Sequence, residues 1–439
     1  MINSYNREIK ISSQNLIYYC LKIIFLFCLL SFIFFDINVE KNILKGIIVI
    51  VLPLIMSYIA RKNYLLFFAF LAMAYLNYSF CAVHYFNLMK ISDTYSIPYD
   101  ISTNLLNIMV IFTSFLFIVI PKDIKEFKIQ AAMNNNINHL GVSIVFLISF
   151  ILLIVFSFRN EGLNGRIDVN SYGEYSILFV IIGISFCSRN KYLKILYSIV
   201  SIAISLILFG FGGRITGLQL LLIIFFSCYS DKINKFLFFI ISFLGLVIMN
   251  LIGIMRADTV LNLESFISSF NDLFSSSFAL DTSYVAYHSS YVIYLVSLND
   301  SFITKIGMFW KFILSMFLGG NAVSNSNLSS YAQKYQFHSG GGFLPVYFYY
   351  YLNYFGVVII SFILGVYIRV INKLKEFYEN NSSIKSLILC ISIYLSVSIF
   401  RWYIYSPSNL FRGVMILSLL WLGANIIVKV LKGKNNQLL

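Results

Sequence analysis

The chain has 439 residues, of which 59% are hydrophobic and only 11% are charged, and it contains 44 Phe and 31 Tyr. A soluble domain carries about 25% charged residues, so most of this chain must have lipid as its solvent. The net charge of +14 would suggest nucleic acid in a soluble protein. In a membrane protein, a positive net charge is instead distributed unequally between the two sides of the bilayer. We therefore expect the bilayer as a partner and no nucleic acid.

Sequence signatures of soluble catalytic domains are missing. The chain has no P-loop, GxGxxG, HExxH or GxSxG pattern, which argues against an ATP-driven pump and against an enzyme that uses cytoplasmic sugar nucleotides. Its six cysteines all fall inside apolar runs, and none belongs to a C-x-x-C or Cys/His cluster. We therefore predict no disulfide, no metal site and no cofactor.

Twelve stretches are long and apolar enough to form membrane-spanning helices, for which about 20 residues are needed. The chain is therefore predicted to be an all-α polytopic membrane protein with about 12 transmembrane helices. Span 172–188 is short and contains Glu174. Span 16–35 follows Arg7 and Lys10 like a signal peptide, but it is too long and lacks a cleavage site, so we predict an uncleaved helix. The predicted spans are 16–35, 43–60, 64–86, 103–120, 140–158, 172–188, 193–211, 214–230, 235–255, 342–368, 384–400 and 408–428.

The basic residues indicate the orientation of these spans. With the N-terminus inside, the inside segments hold 19 basic residues and the outside segments hold 12. This asymmetry predicts that both termini are cytoplasmic. The inside residues are mostly Lys, whereas the outside segments hold as many Arg as Lys. Arginine presents a planar, always-charged fork that suits phosphate.

The segment 256–341 is the one large hydrophilic region and is predicted to lie outside, between helices 1–9 in residues 1–255 and helices 10–12 in residues 342–439. Its apolar side chains recur at helical spacing, which predicts short amphipathic helices on the bundle or at the interface. The piece 303–318, with Lys305 and Lys311, is too short and too cationic for a comfortable span. The two periodic stripes are Phe266, Phe270, Phe274 and Phe278, then Tyr284, Tyr287, Tyr291 and Tyr294.

A glycine-rich turn, Gly210 to Gly217, joins the seventh and eighth spans and contains Arg214. Glycine permits a tight turn and close backbone approach, and the amides that open a helix favour an anion. The functional interpretation is a phosphate or pyrophosphate contact at Arg214. The alternative is a tight turn with a snorkelling arginine.

Further arginines lie near the predicted outer boundary. Arg256 ends the ninth span, and Arg401 and Arg412 flank the last outer loop. A charge just inside an apolar run costs about 2.5–3.5 kcal/mol, so Arg412 should have a partner, either a bound anion or an acidic side chain. Arg166 is a further candidate substrate contact, although it lies in a loop of mixed charge. For Arg256, an ion pair with Asp258 is the alternative.

Two other features before and within the tenth span could carry chemistry. His338 precedes three glycines and is a candidate general base near neutral pH, with a packing role as the alternative. His288, Asp258 and Asp281 are alternates for that base. Tyr349 lies in a run of aromatic residues, 347–351, that could stack on sugar rings or form an interfacial belt.

Four of these features together resemble the O-antigen polymerase (Wzy) family of bacterial membrane glycosyltransferases. They are the helix-turn-helix FGFGGRITGLQLLL, the long late outer loop, the following HSGGGFLPVYFYYYLNYFGVVIISFILG and the final NLFRGVMILSLL. The topological match covers nearly the whole chain. The resemblance implies a GT-C-like polymerase or ligase architecture.

The resemblance also implies a substrate and roles for individual residues. The family joins oligosaccharide repeat units carried on undecaprenyl pyrophosphate at the outer face of the cytoplasmic membrane, in partnership with a co-polymerase that regulates chain length. Arg214 and Arg256 would bind the pyrophosphate, His338 would act as the base, and Arg401 and Arg412 would line the same cavity. An O-antigen ligase is the nearest alternative function. A polysaccharide flippase or transporter is the second, but it should have charges deep within its spans and short loops.

Overall fold

A computed structural model of the chain describes residues 22, 39–88, 95–134, 139–157, 171–187, 190–210, 213–255, 263–275, 277–320, 322–379 and 384–435. These residues fold into helices, and none of them lies in a strand. The helices are α1 Val39–Ile59, α2 Tyr64–His84, α3 Tyr99–Val119, α4 Ile129–Asn134, α5 Leu140–Ser157, α6 Ser171–Phe186, α7 Lys191–Gly210, α8 Arg214–Ile224, α9 Lys235–Met255, α10 Leu263–Ser275, α11 Asp281–Asn299, α12 Phe302–Leu318, α13 Leu328–Ala332, α14 Leu344–Asn372, α15 Leu374–Glu379, α16 Lys385–Val397, α17 Ile399–Trp402 and α18 Ser408–Asn435.

Nine helices in the described part of the chain are long and apolar enough to cross a membrane. They are α1, α2, α3, α5, α7, α8 with its π-helical and 3₁₀ continuation to Lys232, α9, α14 and α18. The shorter apolar helices α6 and α16 fall on two further predicted spans. The prediction of a polytopic all-α membrane protein is confirmed. The predicted span 16–35 lies outside the described residues apart from Lys22, and the count of twelve stays a prediction.

The helices alternate in direction and define two ends of the bundle. At one end, Arg401 contacts both the start of α6 and the start of α8, and we call this the arginine end. At the opposite end, Tyr64 donates a hydrogen bond to the carbonyl of Ile233 at 2.8 Å, and the backbone of Lys125 donates to Asn372 at 2.7 Å. The side chains that close the opposite end are rich in lysine, including Lys122, Lys125, Lys128, Lys191, Lys232 and Lys373.

The segment 256–341, predicted as an outer loop, contributes α10 to α13 to the arginine end. Helix α11 is largely buried and packs against α2, α3 and α14. Its Tyr287 stacks on Phe80 with ring centroids 4.2 Å apart, and its Ser283 donates to the carbonyl of Leu76 at 2.5 Å. The tyrosine stripe is therefore a packing face inside the bundle rather than an interfacial face.

Helix α10 follows the predicted phenylalanine stripe over part of its length. Leu273 is buried, while Phe270 and Phe274 are exposed. Phe278 lies past the end of the helix at a φ of +60°, where the chain turns towards α11. The four-residue period therefore predicts the helix but extends it one turn too far.

Helix α14 is broken between its aromatic start and its spanning part. Leu352 and Asn353 have non-helical backbone angles, with a φ of +53° at Asn353. At Gly356 an added Cβ would lie 2.0 Å from the carbonyl oxygen of Phe348. The break therefore depends on the missing side chain at this glycine, because the two segments approach through their backbones.

Replacing Gly356 by Ala should destabilise the fold by about 1–3 kcal/mol, because the new methyl group overlaps a backbone atom that cannot move aside. The measurement is thermal unfolding of the purified protein in detergent. Gly245 is the matched control, since an added Cβ there meets nothing within 4 Å. Gly245→Ala should leave the midpoint unchanged or raise it, and an equal effect of both substitutions would contradict the steric explanation.

Candidate functional site

Arg214 opens α8 at the arginine end and is buried, with its side chain only 4% exposed. Its Nη2 donates to both carboxylate oxygens of Asp281, at 2.7 and 2.9 Å. Its Nη1 reaches the carbonyl of Met249 at 3.5 Å, and the guanidinium occupies the space where Gly253 has no side chain. A buried guanidinium needs a counter-charge, so this forked pair fixes the start of α11 against α8 and α9.

The glycines around Arg214 allow α7 and α8 to approach each other. The amide of Gly213 donates to the carbonyl of Leu208 at 2.7 Å, closing the turn. At Gly217 an added Cβ would lie 2.6 Å from the ring of Phe209. The predicted tight turn is thus present where it is described, and residues 211 and 212 lie outside the described residues.

Arg401 links three helices at the arginine end. Its Nη1 pairs with Oε1 of Glu174 on α6 at 2.5 Å, and its Nη2 donates to Oγ1 of Thr216 on α8 at 2.9 Å. Its Nε is buried without a hydrogen-bond partner among the described residues. Thr216 follows Arg214 by two residues, so Arg401 contacts the same first turn of α8 from which Arg214 extends.

Arg412 lies in the first turns of α18, and its guanidinium carbon is 5.4 Å from the ring centroid of Tyr175. Tyr175 follows Glu174, the partner of Arg401, and donates a hydrogen bond to Asn409 at 3.1 Å. No carboxylate of the described residues forms an ion pair with Arg412. Its charge is therefore held by the ring and the hydroxyl group of Tyr175, which are weaker partners than a carboxylate.

A cavity of about 90 Å³ adjoins Arg412. Its wall is rich in hydroxyl and amide groups, and the hydroxyl of Tyr351 is buried without a hydrogen-bond partner in the described part of the chain. A buried hydroxyl left unpaired costs about 1–3 kcal/mol, which a polar ligand would offset. The lining residues are Phe312, Ser315, Gly320, Ser326, Asn327, Leu328, Tyr347, Tyr351, Ser406, Pro407, Ser408 and Arg412.

His338 is fully buried, and both of its ring nitrogens contact the backbone. Nδ1 accepts from the amide of Gly340 at 3.1 Å, so Nε2 carries the proton and donates to the carbonyl of Ser329 at 3.1 Å. Burial lowers the pKa of His338 below its usual value, although the contact with Ser329 opposes this. In this arrangement His338 holds the loop, and a role as base requires the bond from Gly340 to open.

The glycine run after His338 is clamped from two sides. Gly340, Gly341 and Gly342 all have positive φ, at +90°, +83° and +144°. Ser289 on α11 donates to the carbonyl of Gly340 at 2.8 Å, and the amide of Gly342 donates to the carbonyl of Ile404 at 2.9 Å. These glycines therefore connect α11 to the segment between Arg401 and Arg412.

Tyr349, the predicted sugar-stacking residue, is only partly buried and packs on Tyr294, with ring centroids 5.5 Å apart. Its neighbours Tyr347 and Tyr351 line the cavity instead. These two are four residues apart and share a helix face, so the helical spacing within the run identifies which of the tyrosines point together. Arg256 and Arg166 lie outside the described residues, and their roles stay predictions.

Sequence reasoning missed two partners of the arginines. Glu174 counted against the short sixth span, yet it is the carboxylate that pairs with Arg401. Asp281 was an alternate for the base and is the counter-charge of Arg214. One feature of the sequence could have suggested such pairs. Glu174 lies within an apolar run, and arginines of other spans lie near the same predicted outer boundary.

Among the described residues, no three His, Cys, Asp or Glu side chains come together as a group that could hold a metal ion. Comparison of the chain with models of known protein families, with curated proteins and with solved structures finds no match.

Removal of one carboxylate tests how strongly each arginine depends on it. Asp281→Asn should lower stability by about 3 kcal/mol, because it leaves Arg214 buried without a counter-charge. Glu174→Gln should cost about 1 kcal/mol, since the side chain of Arg401 is 18% exposed and keeps more water. Thermal unfolding of both variants in detergent measures the difference, and equal losses would show that the burial of Arg214 is not decisive.

The contacts of His338 predict a pH dependence of stability. Because burial lowers its pKa in the folded protein, its contribution is present above the unfolded value of about 6.5 and is lost as the pH falls below it. Burial and the neighbouring His338 also lower the pKa of His288, with the same sign. The difference in unfolding midpoint between wild type and His338→Gln should therefore shrink at low pH. A difference that stays constant from about pH 8 to pH 5 would contradict this assignment.

Proposed function

We propose that this protein is a membrane glycosyltransferase that polymerises oligosaccharide repeat units carried on undecaprenyl pyrophosphate. The observation that carries the proposal is the placement of Arg214, Arg401 and Arg412 at one end of the bundle. Arg401 contacts α8 at Thr216 and α6 at Glu174, and Arg412 lies over Tyr175 beside a polar cavity. We assign the arginine end to the outer face of the bacterial cytoplasmic membrane. The GT-C-like architecture belongs to the same proposal.

The charge distribution supports this orientation. Lysines close the opposite end, where Lys125 and Lys232 lie near the helix ends, and the arginine end uses arginines paired inside the protein. By the positive-inside rule the lysine-rich end faces the cytoplasm, and both termini lie there.

The reaction has a step that arginine can accelerate. The bond between C1 of the donor glycan and its pyrophosphate breaks, while a hydroxyl oxygen of the acceptor unit forms a new bond to C1 and releases its proton to water. Undecaprenyl pyrophosphate leaves with additional negative charge. A guanidinium placed beforehand at that oxygen stabilises the charge as it develops.

Arg214, Arg401 and Arg412 then have different roles. Arg412 contacts the pyrophosphate, because it faces the cavity and lacks a carboxylate partner among the described residues. Arg401 supports Arg412 without contacting the pyrophosphate, because its charge is already paired with Glu174. Arg214 is a positioning residue, since its charge is bound by Asp281. Hydroxyl groups of the cavity wall, including Tyr347 and Tyr351, bind the sugar next to the pyrophosphate.

The proposal is tested at Arg412, where substitution should leave the fold intact. Purified protein is given a defined undecaprenyl-pyrophosphate-linked repeat unit, and the glycan products are separated by length. Arg412→Ala should slow extension about tenfold to a hundredfold, as expected for one charge-assisted contact of about 1.5–3 kcal/mol. Arg412→Lys should recover part of the rate, because it keeps the charge but loses the fork.

Arg61 provides the control. It is an exposed arginine at the opposite end that lies over its neighbour Tyr58, so Arg61→Ala should extend glycans at the wild-type rate. Extension by Arg412→Ala at the wild-type rate with limiting substrate would contradict the proposal. A product consisting of one finished chain moved to a different acceptor, with no ladder of lengths, would instead identify a ligase. A chain-length-regulating co-polymerase as partner remains part of the proposal.

A further inference from the structure

A second, larger cavity of about 640 Å³ lies between α5, α6 and α18. We call it the lateral groove. Its lining is almost entirely apolar and consists of His139, Gly141, Val142, Val145, Phe146, Ser149, Phe179, Leu419, Leu420, Gly423, Ala424, Ile427 and Leu431. Side chains on both rims are exposed, with Val145 at 61% and Leu419 at 62%, so the groove opens towards the hydrocarbon of the bilayer.

The lateral groove occupies the half of the bundle nearest the opposite end. On α5 it uses the first turns, beginning at Gly141, and on α18 it extends to Leu431 near the helix end. The halves of α6 and α18 nearest the arginine end belong to the candidate site. Helix α6 carries Glu174 and Tyr175 there, and α18 carries Arg412. At 1.5 Å per residue, Leu419 lies about 10 Å along α18 from Arg412.

We propose that the lateral groove holds the isoprenoid tail of the lipid-linked substrate while its pyrophosphate contacts Arg412. The inference rests on the proposed function for the identity of the substrate. At this depth only an apolar chain can fill the groove, since a polar one would lose its hydrogen bonds to water. The shared helices α6 and α18 lead from the headgroup site to the groove.

The position of the groove favours an isoprenoid over a phospholipid. A phospholipid with its headgroup at the arginine end reaches only to the middle of a hydrocarbon layer about 30 Å thick. On α18 the groove lining from Gly423 to Leu431 lies about 16–28 Å from Arg412, beyond that level. A phospholipid from the other leaflet would place its phosphate near His139, whose Nδ1 already accepts from the amide of Val142 at 3.3 Å. Among the described residues, the groove lining contains no Lys or Arg for such a phosphate.

Gly423 makes the groove testable. An added Cβ at Gly423 meets nothing within 4 Å, so a larger side chain there begins in open space at the wall of the groove. Gly245 on α9 is equally open and lies outside the groove, which makes Gly245→Phe the matched control for Gly423→Phe. Val145→Trp fills the groove from α5 and gives an independent second variant.

The experiment measures binding of undecaprenyl pyrophosphate and of inorganic pyrophosphate to the purified full chain. Gly423→Phe and Val145→Trp should each weaken the binding of undecaprenyl pyrophosphate at least tenfold and leave the binding of inorganic pyrophosphate unchanged. Gly245→Phe should change neither affinity. Wild-type affinity for undecaprenyl pyrophosphate in both groove variants would overturn the inference. So would photolabelling of groove residues by a photoreactive phosphatidylglycerol that undecaprenyl pyrophosphate does not displace.

The extension assay separates this inference from the proposed function. If the groove variants lose the binding of undecaprenyl pyrophosphate but the wild type extends no glycan, the proposed polymerase function is wrong and the tail site is supported. If the wild type extends glycans and the groove variants do so with unchanged dependence on substrate concentration, the polymerase stands and the tail site is wrong.

Discussion

Burial of the Arg214 guanidinium within a bundle of apolar helices is the constraint on which the arginine end depends. Such a charge is tolerated only beside a counter-charge, and Asp281 supplies it through two hydrogen bonds. The pair fixes the start of α11. Ser289 on the same helix donates a hydrogen bond to the backbone carbonyl of Gly340 in the glycine run. The glycine run in turn bonds to the segment between Arg401 and Arg412. One ion pair thus anchors the segment that shapes the cavity.

Hydropathy predicted the spans well because the cost of placing polar backbone and side chains in hydrocarbon dominates every other local preference. The same criterion does not indicate how residues 281–299 pack. Helix α11 contains Ser and Tyr at many positions, which makes its sequence hydrophilic, yet the hydroxyls of Ser283 and Tyr287 form hydrogen bonds inside the bundle. Hydropathy measures transfer out of water, and it does not register hydrogen bonds between distant segments.

The candidate site was predictable in its residue types and less so in its pairings. That arginines gather at one end followed from their positions at the predicted outer helix ends. The partner of Arg401, however, is 227 positions away in the chain, and no local pattern links them. His338 was recognisable as unusual, but its surroundings decide its role, because both ring nitrogens are used by the backbone. A titratable residue in a glycine-rich segment therefore needs its contacts before a chemical role can be assigned.

The break at Asn353 separates two mechanical parts of α14. The spanning part, residues 354–372, must follow any change in bilayer thickness by tilting. The aromatic part, residues 344–351, is instead attached to the arginine end by the amide of Leu344, which donates to the carbonyl of Tyr403 at 2.8 Å. A non-helical break lets the two parts of a helix lie along different axes. The part that carries Tyr347 and Tyr351 therefore takes its direction from the arginine end, and the part in the bilayer takes its direction from the neighbouring spans.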